Sequence, residues 1–177
     1  MRVITGIARG RRLDTLMGDD VRPTSDKVKE AIFSAIQFDI EGAKVLDLFC
    51  GSGQLGIEAL SRGAECSVFV DKNKESIAVA KKNIGTVGFL DTSKLIHMDS
   101  LEFLKQTELN FDIVFIDPPY KKGLIVSALE ILSDKINEGG KIICEHELEL
   151  GLPEKIGELS LNKSYKYGKV KVSLFKK

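Results

Sequence analysis

Four short apolar runs, 43–49, 66–70, 94–96 and 111–116, alternate with segments of helical periodicity, and each contains or is followed by an aspartate. Short apolar runs bounded by turn residues read as buried strands. Between them, 54–62 offers Leu55, Ile57, Ala59 and Leu60, 73–84 offers Ile77, Ala80, Lys81 and Ile84, and a third helical stretch runs through Leu101 and Leu104. A helix near 124–136, Gly139-Gly140 and a fifth strand at 141–145 complete the series. Strands that alternate with helices pair in parallel, with helices covering both faces and right-handed crossovers.

The two ends break this rhythm. Residues 158–167 and 169–176 read as strands joined around Gly168, with Val170, Val172 and Leu174 alternating, and no helix fits between them. They are expected to form an antiparallel hairpin at one sheet edge. The predicted fold is therefore α/β and Rossmann-like, a seven-stranded sheet of five parallel strands plus a C-terminal hairpin. At the front, Gly6 and Gly10 lie among alternating residues of 2–15, a small hairpin. Pro23 then stops the chain, and Ser25 or Asp26 can cap a helix with Val28, Ala31, Ile32, Ala35 and Ile36 on one face. This divides the chain into a hairpin extension, 1–24, and a main domain, 25–177.

A chain of 177 residues, 43% hydrophobic and 29% charged, suits one such domain. Its apolar stretches of five or six residues fall far short of the roughly 20 that span a membrane. No basic-then-apolar leader opens the sequence, and the odd set Cys50, Cys66 and Cys144 argues against a disulfide framework, so a cytoplasmic protein without membrane contact is expected; a monomer is expected as well. With no CxxC and two histidines, His97 and His146, no metal is expected. Zero net charge conceals basic ends: +4 over 1–12 and +6 over 163–177, against −10 between. Arginines 9, 11, 12 and 22 read as phosphate contacts, and the C-terminal lysines as edge-strand charges.

The loop Asp47-Leu-Phe-Cys-Gly51-Ser-Gly53-Gln-Leu-Gly56 fits the dinucleotide pattern GxGxxG, with Asp71 twenty residues beyond Gly51. Asp47 changes that reading. A carboxylate at the end of a buried strand needs a donor or cation, and a pyrophosphate would repel it. A phosphate-free ligand with an ammonium group, S-adenosylmethionine, fits better. Asp71 could accept from two ribose hydroxyls and Asp99 from an adenine amine, which sets three carboxylates at the strand ends where open α/β sheets bind ligands.

Asp117-Pro118-Pro119-Tyr120 directly follows the fourth strand. Chance supplies this tetrapeptide to roughly one chain of this size in a thousand. Two prolines fix the backbone and remove two donors, so the Pro118 carbonyl is held rigidly. An exocyclic base amine is a poor nucleophile because its lone pair is delocalised. Hydrogen bonds from its two N–H groups to the Asp117 carboxylate and the Pro118 carbonyl favour a more tetrahedral nitrogen, able to attack a sulfonium methyl. Tyr120 offers a stacking face for an extruded base.

With Arg22-Pro23-Thr24, Val-Leu-Asp-Leu-Phe-Cys-Gly-Ser-Gly (45–53), Glu-Ala-Leu-Ser-Arg-Gly (58–63) and Phe-Asp-Ile-Val-Phe-Ile-Asp-Pro-Pro-Tyr (111–120), the chain resembles the bacterial 16S ribosomal RNA guanine-N2-methyltransferases. Its opening Arg2-Val-Ile-Thr-Gly with Arg-Gly-Arg-Arg-Leu (9–13) is similar to the start of that family, although Ala8 stands where an aromatic residue is expected. The resemblance implies a class I methyltransferase fold. It also implies a methyl group moved from S-adenosylmethionine, leaving S-adenosylhomocysteine, to guanine N2 of ribosomal RNA in the small subunit. Thr24, Asp47, Phe49, Gly51, Gly53, Asp71, Lys72, Asp99 and Ser100 would then hold the cofactor, and Asp117 to Tyr120 the guanine amine. The residues alone leave open another amine, adenine N6 or a protein glutamine. A nicotinamide-dependent oxidoreductase agrees with the glycines but not with Asp47 or the diproline loop.

Overall fold

The computed structural model describes residues 1–16, 25–119 and 123–177. Five parallel strands form its centre: β1 (Lys44–Leu48), β2 (Cys66–Asp71), β3 (Ser93–His97), β4 (Phe111–Ile116) and β5 (Ile136–Glu147). β6 (Lys155–Ile156), β7 (Leu159–Tyr167) and β8 (Val170–Lys176) continue the same sheet in the order β3-β2-β1-β4-β5-β8-β7-β6. The helices are α1 (Asp26–Ala35), α2 (Gln54–Ser61), α3 (Lys74–Val87), α4 (Ser100–Gln106) and α5 (Leu124–Leu132).

Side-chain alternation divides the apolar residues of the sheet between two cores. Val45, Phe69, Ile113, Phe115 and Ile143 pack with α1, α2 and α3. Leu46, Leu48, Val70, Ile116 and Cys144 face α4 and α5. Chain order reverses between β1 and β4, and ligands of doubly wound sheets bind at such a switch point, beyond the carboxyl ends of the strands.

The expected architecture is present, with four local differences. The sheet has eight strands rather than seven, because a two-residue strand, Lys155–Ile156, pairs with the start of β7. β5 begins at Ile136, and α5 ends at Leu132: the register with β4 shifts between Phe111 and Ile113, so Gly139 and Gly140 sit inside an irregular strand instead of ending a helix. α1 buries Val28, Lys29, Ile32 and Phe33, with Ile36 buried just beyond it, whereas Ala35 is exposed; Lys29 turns inward to an acid on α2. The front segment closes as a hairpin through Val3 N to Arg11 O and Gly10 N to Val3 O, but only Arg2 and Arg12 form a ladder bridge. Val3, Ala8 and Leu13 enter the α1–α3 core, so this segment packs as part of the main body.

That docking has a polar anchor. Glu58 of α2 accepts from the amides of Ile4 and Thr5 at 2.8 and 2.9 Å, and Ser61 Oγ donates to the Thr5 carbonyl at 2.6 Å. Gly6 (φ +85°) runs so close to α2 that a Cβ would strike the Ser61 carbonyl. Among the described residues, no helix is long and apolar enough to cross a membrane.

Candidate functional site at the strand tips

The loop after β1 turns sharply at Phe49, a non-glycine residue in the left-handed region (φ 64°), and at Gly51 (φ 52°) and Gly53 (φ 78°). Gly53 caps α2. The glycines serve different ends. A Cβ on Gly51 would have only Leu16 Cδ1 within 4 Å, at 3.8 Å, leaving the backbone open to approach. A Cβ on Gly53 would come within 3.3 Å of Ala80 and Phe69. One on Gly56 would collide with the Phe69 ring and stand 2.7 Å from Ser67 Oγ, so that glycine lets α2 lie against β2.

Asp47 is 2% exposed, and its carboxylate accepts from Gly56 N at 2.9 Å. Burial pushes its carboxyl up to about 7. A bound ammonium would supply the missing counter-charge, so this position suits the cationic end of an amino-acid ligand. Asp71 closes β2, and both its oxygens take backbone donors, Gly51 N at 2.9 Å and Asn73 N at 2.8 Å. These bonds fix the carboxylate while each oxygen keeps a second acceptor site. Asp99 caps α4 through one oxygen, Oδ1, which accepts from Leu101 N and Glu102 N at 3.0 and 3.3 Å. Ser100 is buried under that cap. Lys72 is exposed, and its carbonyl lies 3.0 Å from His97 Nε2 across to β3.

Asp117 follows the last residue of β4, with Pro118 buried and Pro119 exposed. Pro118 and Pro119 border a cavity of about 50 Å³, together with Leu124 and Ile125 of α5 and Glu145 and His146 of β5. His146 is buried between the Glu147 carbonyl on Nδ1 and Ser173 Oγ on Nε2, both 2.8 Å away, and burial lowers its pKa. A carbonyl can only accept, so Nδ1 carries the proton and Nε2 accepts from Ser173. Cys50 is buried, and desolvation raises its thiol far above the range of a nucleophile, as expected of a space-filling residue.

The strand tips thus bring Asp47, Gly51, Gly53, Asp71 and Asp117 to one edge, with Asp99 two residues beyond β3. Arg9, Arg11 and Arg12 are exposed on the front hairpin, and Arg12 flanks a shallow opening with Met1, Arg2 and Asp26. Thr24, Arg22 and Tyr120 lie outside the described residues. Glu145 borders the cavity although nothing in the linear sequence singles it out. Its only signal is cross-strand register, which a linear pattern does not carry.

A profile of the family described as conserved hypothetical protein 95 matches residues 1–176. Bacillus subtilis YlbH is 40% identical, with 100% of this chain and 99% of that protein covered. Escherichia coli ribosomal RNA small subunit methyltransferase D is 32% identical over 100% of this chain and 90% of its own. The solved structure of Escherichia coli yhhF superposes with a TM-score of 0.89 at 33% identity, covering 100% of this chain and 97% of that one. The chain belongs to this conserved hypothetical protein 95 family, a family of 16S ribosomal RNA methyltransferases.

Proposed function

We propose that this protein transfers a methyl group from S-adenosylmethionine to the N2 amine of a guanine in small-subunit ribosomal RNA, releasing S-adenosylhomocysteine. The observation that carries this reading is the rigid Asp117-Pro118-Pro119 loop at the tip of β4, one strand from the glycine loop that follows β1. The relative named ribosomal RNA small subunit methyltransferase D supports the choice of substrate.

S-adenosylmethionine, when bound, supplies an electrophilic methyl group. Asp47 holds the ligand's ammonium, Asp71 accepts from the ribose hydroxyls, and Asp99 Oδ2 accepts from the adenine amine. Phe49, Gly51, Gly53, Lys72, Ser100 and Thr24 complete that contact. Asp117 and the Pro118 carbonyl accept the two hydrogens of the target amine and turn its lone pair toward the methyl, while Pro119 stiffens the loop and Tyr120 stacks on the base. Positioning and electrostatics then supply most of the acceleration. Residues 1–24 present Arg9, Arg11, Arg12 and Arg22 to phosphates, and 25–177 carry the chemistry. A single chain acting in the cytoplasm on the ribosomal particle suffices.

Small ribosomal subunits lacking the modification, incubated with the protein and a methyl-labelled donor, test the reading. Digestion and mass spectrometry of nucleosides should give N2-methylguanosine. Label in N6-methyladenosine, or none in RNA, would overturn it.

A further inference from the structure

Ile116 pairs with Cys144 in the parallel register of β4 and β5, so the next residues on the two strands, Asp117 and Glu145, stand side by side. Neighbouring strands are about 4.8 Å apart. Phe115 and Ile143 face the α1–α3 core, whereas Ile116 and Cys144 face the other. Continued alternation therefore sets Asp117 and Glu145 together on the α1–α3 face of the sheet tip. Glu145 is 7% exposed and borders the same cavity as Pro118 and Pro119.

Two carboxylates one strand apart match two adjacent donors on one ligand edge. Guanine offers N1–H beside its N2 amine, whereas adenine presents a bare acceptor at N1. We propose that Glu145 selects the base: its carboxylate accepts the guanine N1–H while Asp117 and the Pro118 carbonyl take the N2 hydrogens. This rests on the methyl-transfer reading above and adds the group that distinguishes guanine. An anion on N1–H also pushes electron density through C2 toward N2, which raises the nucleophilicity of the amine. A purine with a lone pair at N1 meets that anion as repulsion.

2-Aminopurine separates these effects, since it keeps the 2-amine but has no hydrogen at N1. Subunits would be reconstituted with guanine or 2-aminopurine at the nucleotide the wild-type protein methylates, and kcat/KM measured for wild type and Glu145→Gln. Wild type should prefer guanine by at least about 100-fold, because a site built around a substrate N–H rejects the analogue lacking it. Glu145→Gln, whose amide can donate to a bare N1, should slow on guanine and narrow that preference at least about tenfold. An equal preference in both proteins overturns the assignment. So does ready use of 2-aminopurine by wild type, a result that needs no variant and still decides if Glu145→Gln does not fold. Absence of N2-methylguanosine from unsubstituted subunits overturns the methyl-transfer reading itself, whereas guanine methylation with undiminished 2-aminopurine turnover removes Glu145 alone.

Discussion

Lys29 Nζ stands 3.7 Å from Glu58 Oε2, and neither side chain is exposed to solvent. Burial draws the Lys29 ammonium below its ordinary range, and Glu58 opposes that shift. The same glutamate takes Arg62 Nε at 2.9 Å, and Lys29 donates to the Arg2 carbonyl at 2.6 Å. One carboxylate thereby ties α1, α2 and the front hairpin together. Removing one partner of a buried ion pair costs about 3–5 kcal/mol, chiefly through the charge left behind. Glu58→Ala should lose stability of that order in urea unfolding and expose the amides of Ile4 and Thr5 to hydrogen exchange. A loss under about 1 kcal/mol would remove the anchor role.

Gly56 should tolerate no side chain. Alanine is the better helix former by about 1 kcal/mol. Here its methyl group would strike the Phe69 ring beneath α2. Overpacking of this kind costs about 1–3 kcal/mol, so Gly56→Ala should lower the melting temperature despite the propensity gain. An unchanged or higher melting temperature would contradict the packing account.

The parts legible in the sequence are those set by local rules. Asp71 and Asp117 end apolar runs, so their place at the strand tips follows from strand length alone. The hairpin of β7 and β8 follows from strict alternation and Gly168. Lys29 was hidden because a helical wheel assigns a lysine to solvent, and only the acid at position 58, 29 residues away, draws it inward. The glycine pair at 139–140 resembles a helix stop, but pairing of Ile136 with Phe111 takes it into a strand. β6 is too short to have a periodicity. Glu145 is one acid among 26 until register sets it beside Asp117.

Asp47 gives a pH dependence with a definite sign. Its carboxyl lies at about 7 in the fold, against 3.8 unfolded. Between those values the folded chain holds a proton that the unfolded chain releases, so this contribution to stability is full below pH 4 and is lost as pH rises to 7. The loss is about 4 kcal/mol. Asp47→Asn keeps an acceptor for Gly56 N without the titration. From pH 5 to pH 8 wild type should therefore lose more unfolding free energy than the variant. Ligand binding runs the opposite way: an ionised Asp47 pairs with an ammonium, so calorimetric affinity for S-adenosylhomocysteine should rise from pH 6 to 8 in wild type and stay low in Asp47→Asn. Equal affinities in the two proteins would remove Asp47 from the ligand site.

Asp117 follows the end of β4 and is partly exposed at the strand tip, so its loss should be felt in catalysis more than in folding. Removing one preorganised polar group aimed at a reacting centre lowers kcat by about 10²- to 10³-fold. Asp117→Ala should show that loss on ribosomal subunits while binding S-adenosylhomocysteine as wild type does. Full turnover in the variant would discard the role given to this carboxylate.

Arg11 and Arg12 are exposed on the hairpin that Glu58 anchors. If they meet phosphates, each releases counterions on binding, and the slope of log affinity against log salt falls by about 0.7–0.9 for each contact removed. Arg11→Ala with Arg12→Ala should therefore weaken binding to small-subunit RNA most at low salt and flatten its salt dependence by up to about two. Cofactor affinity should not change, because neither residue belongs to the loops around Asp47, Asp71 or Asp99. An unaltered salt slope would take the hairpin out of the RNA interface, and a fall in cofactor affinity would show that the substitutions act through the fold instead.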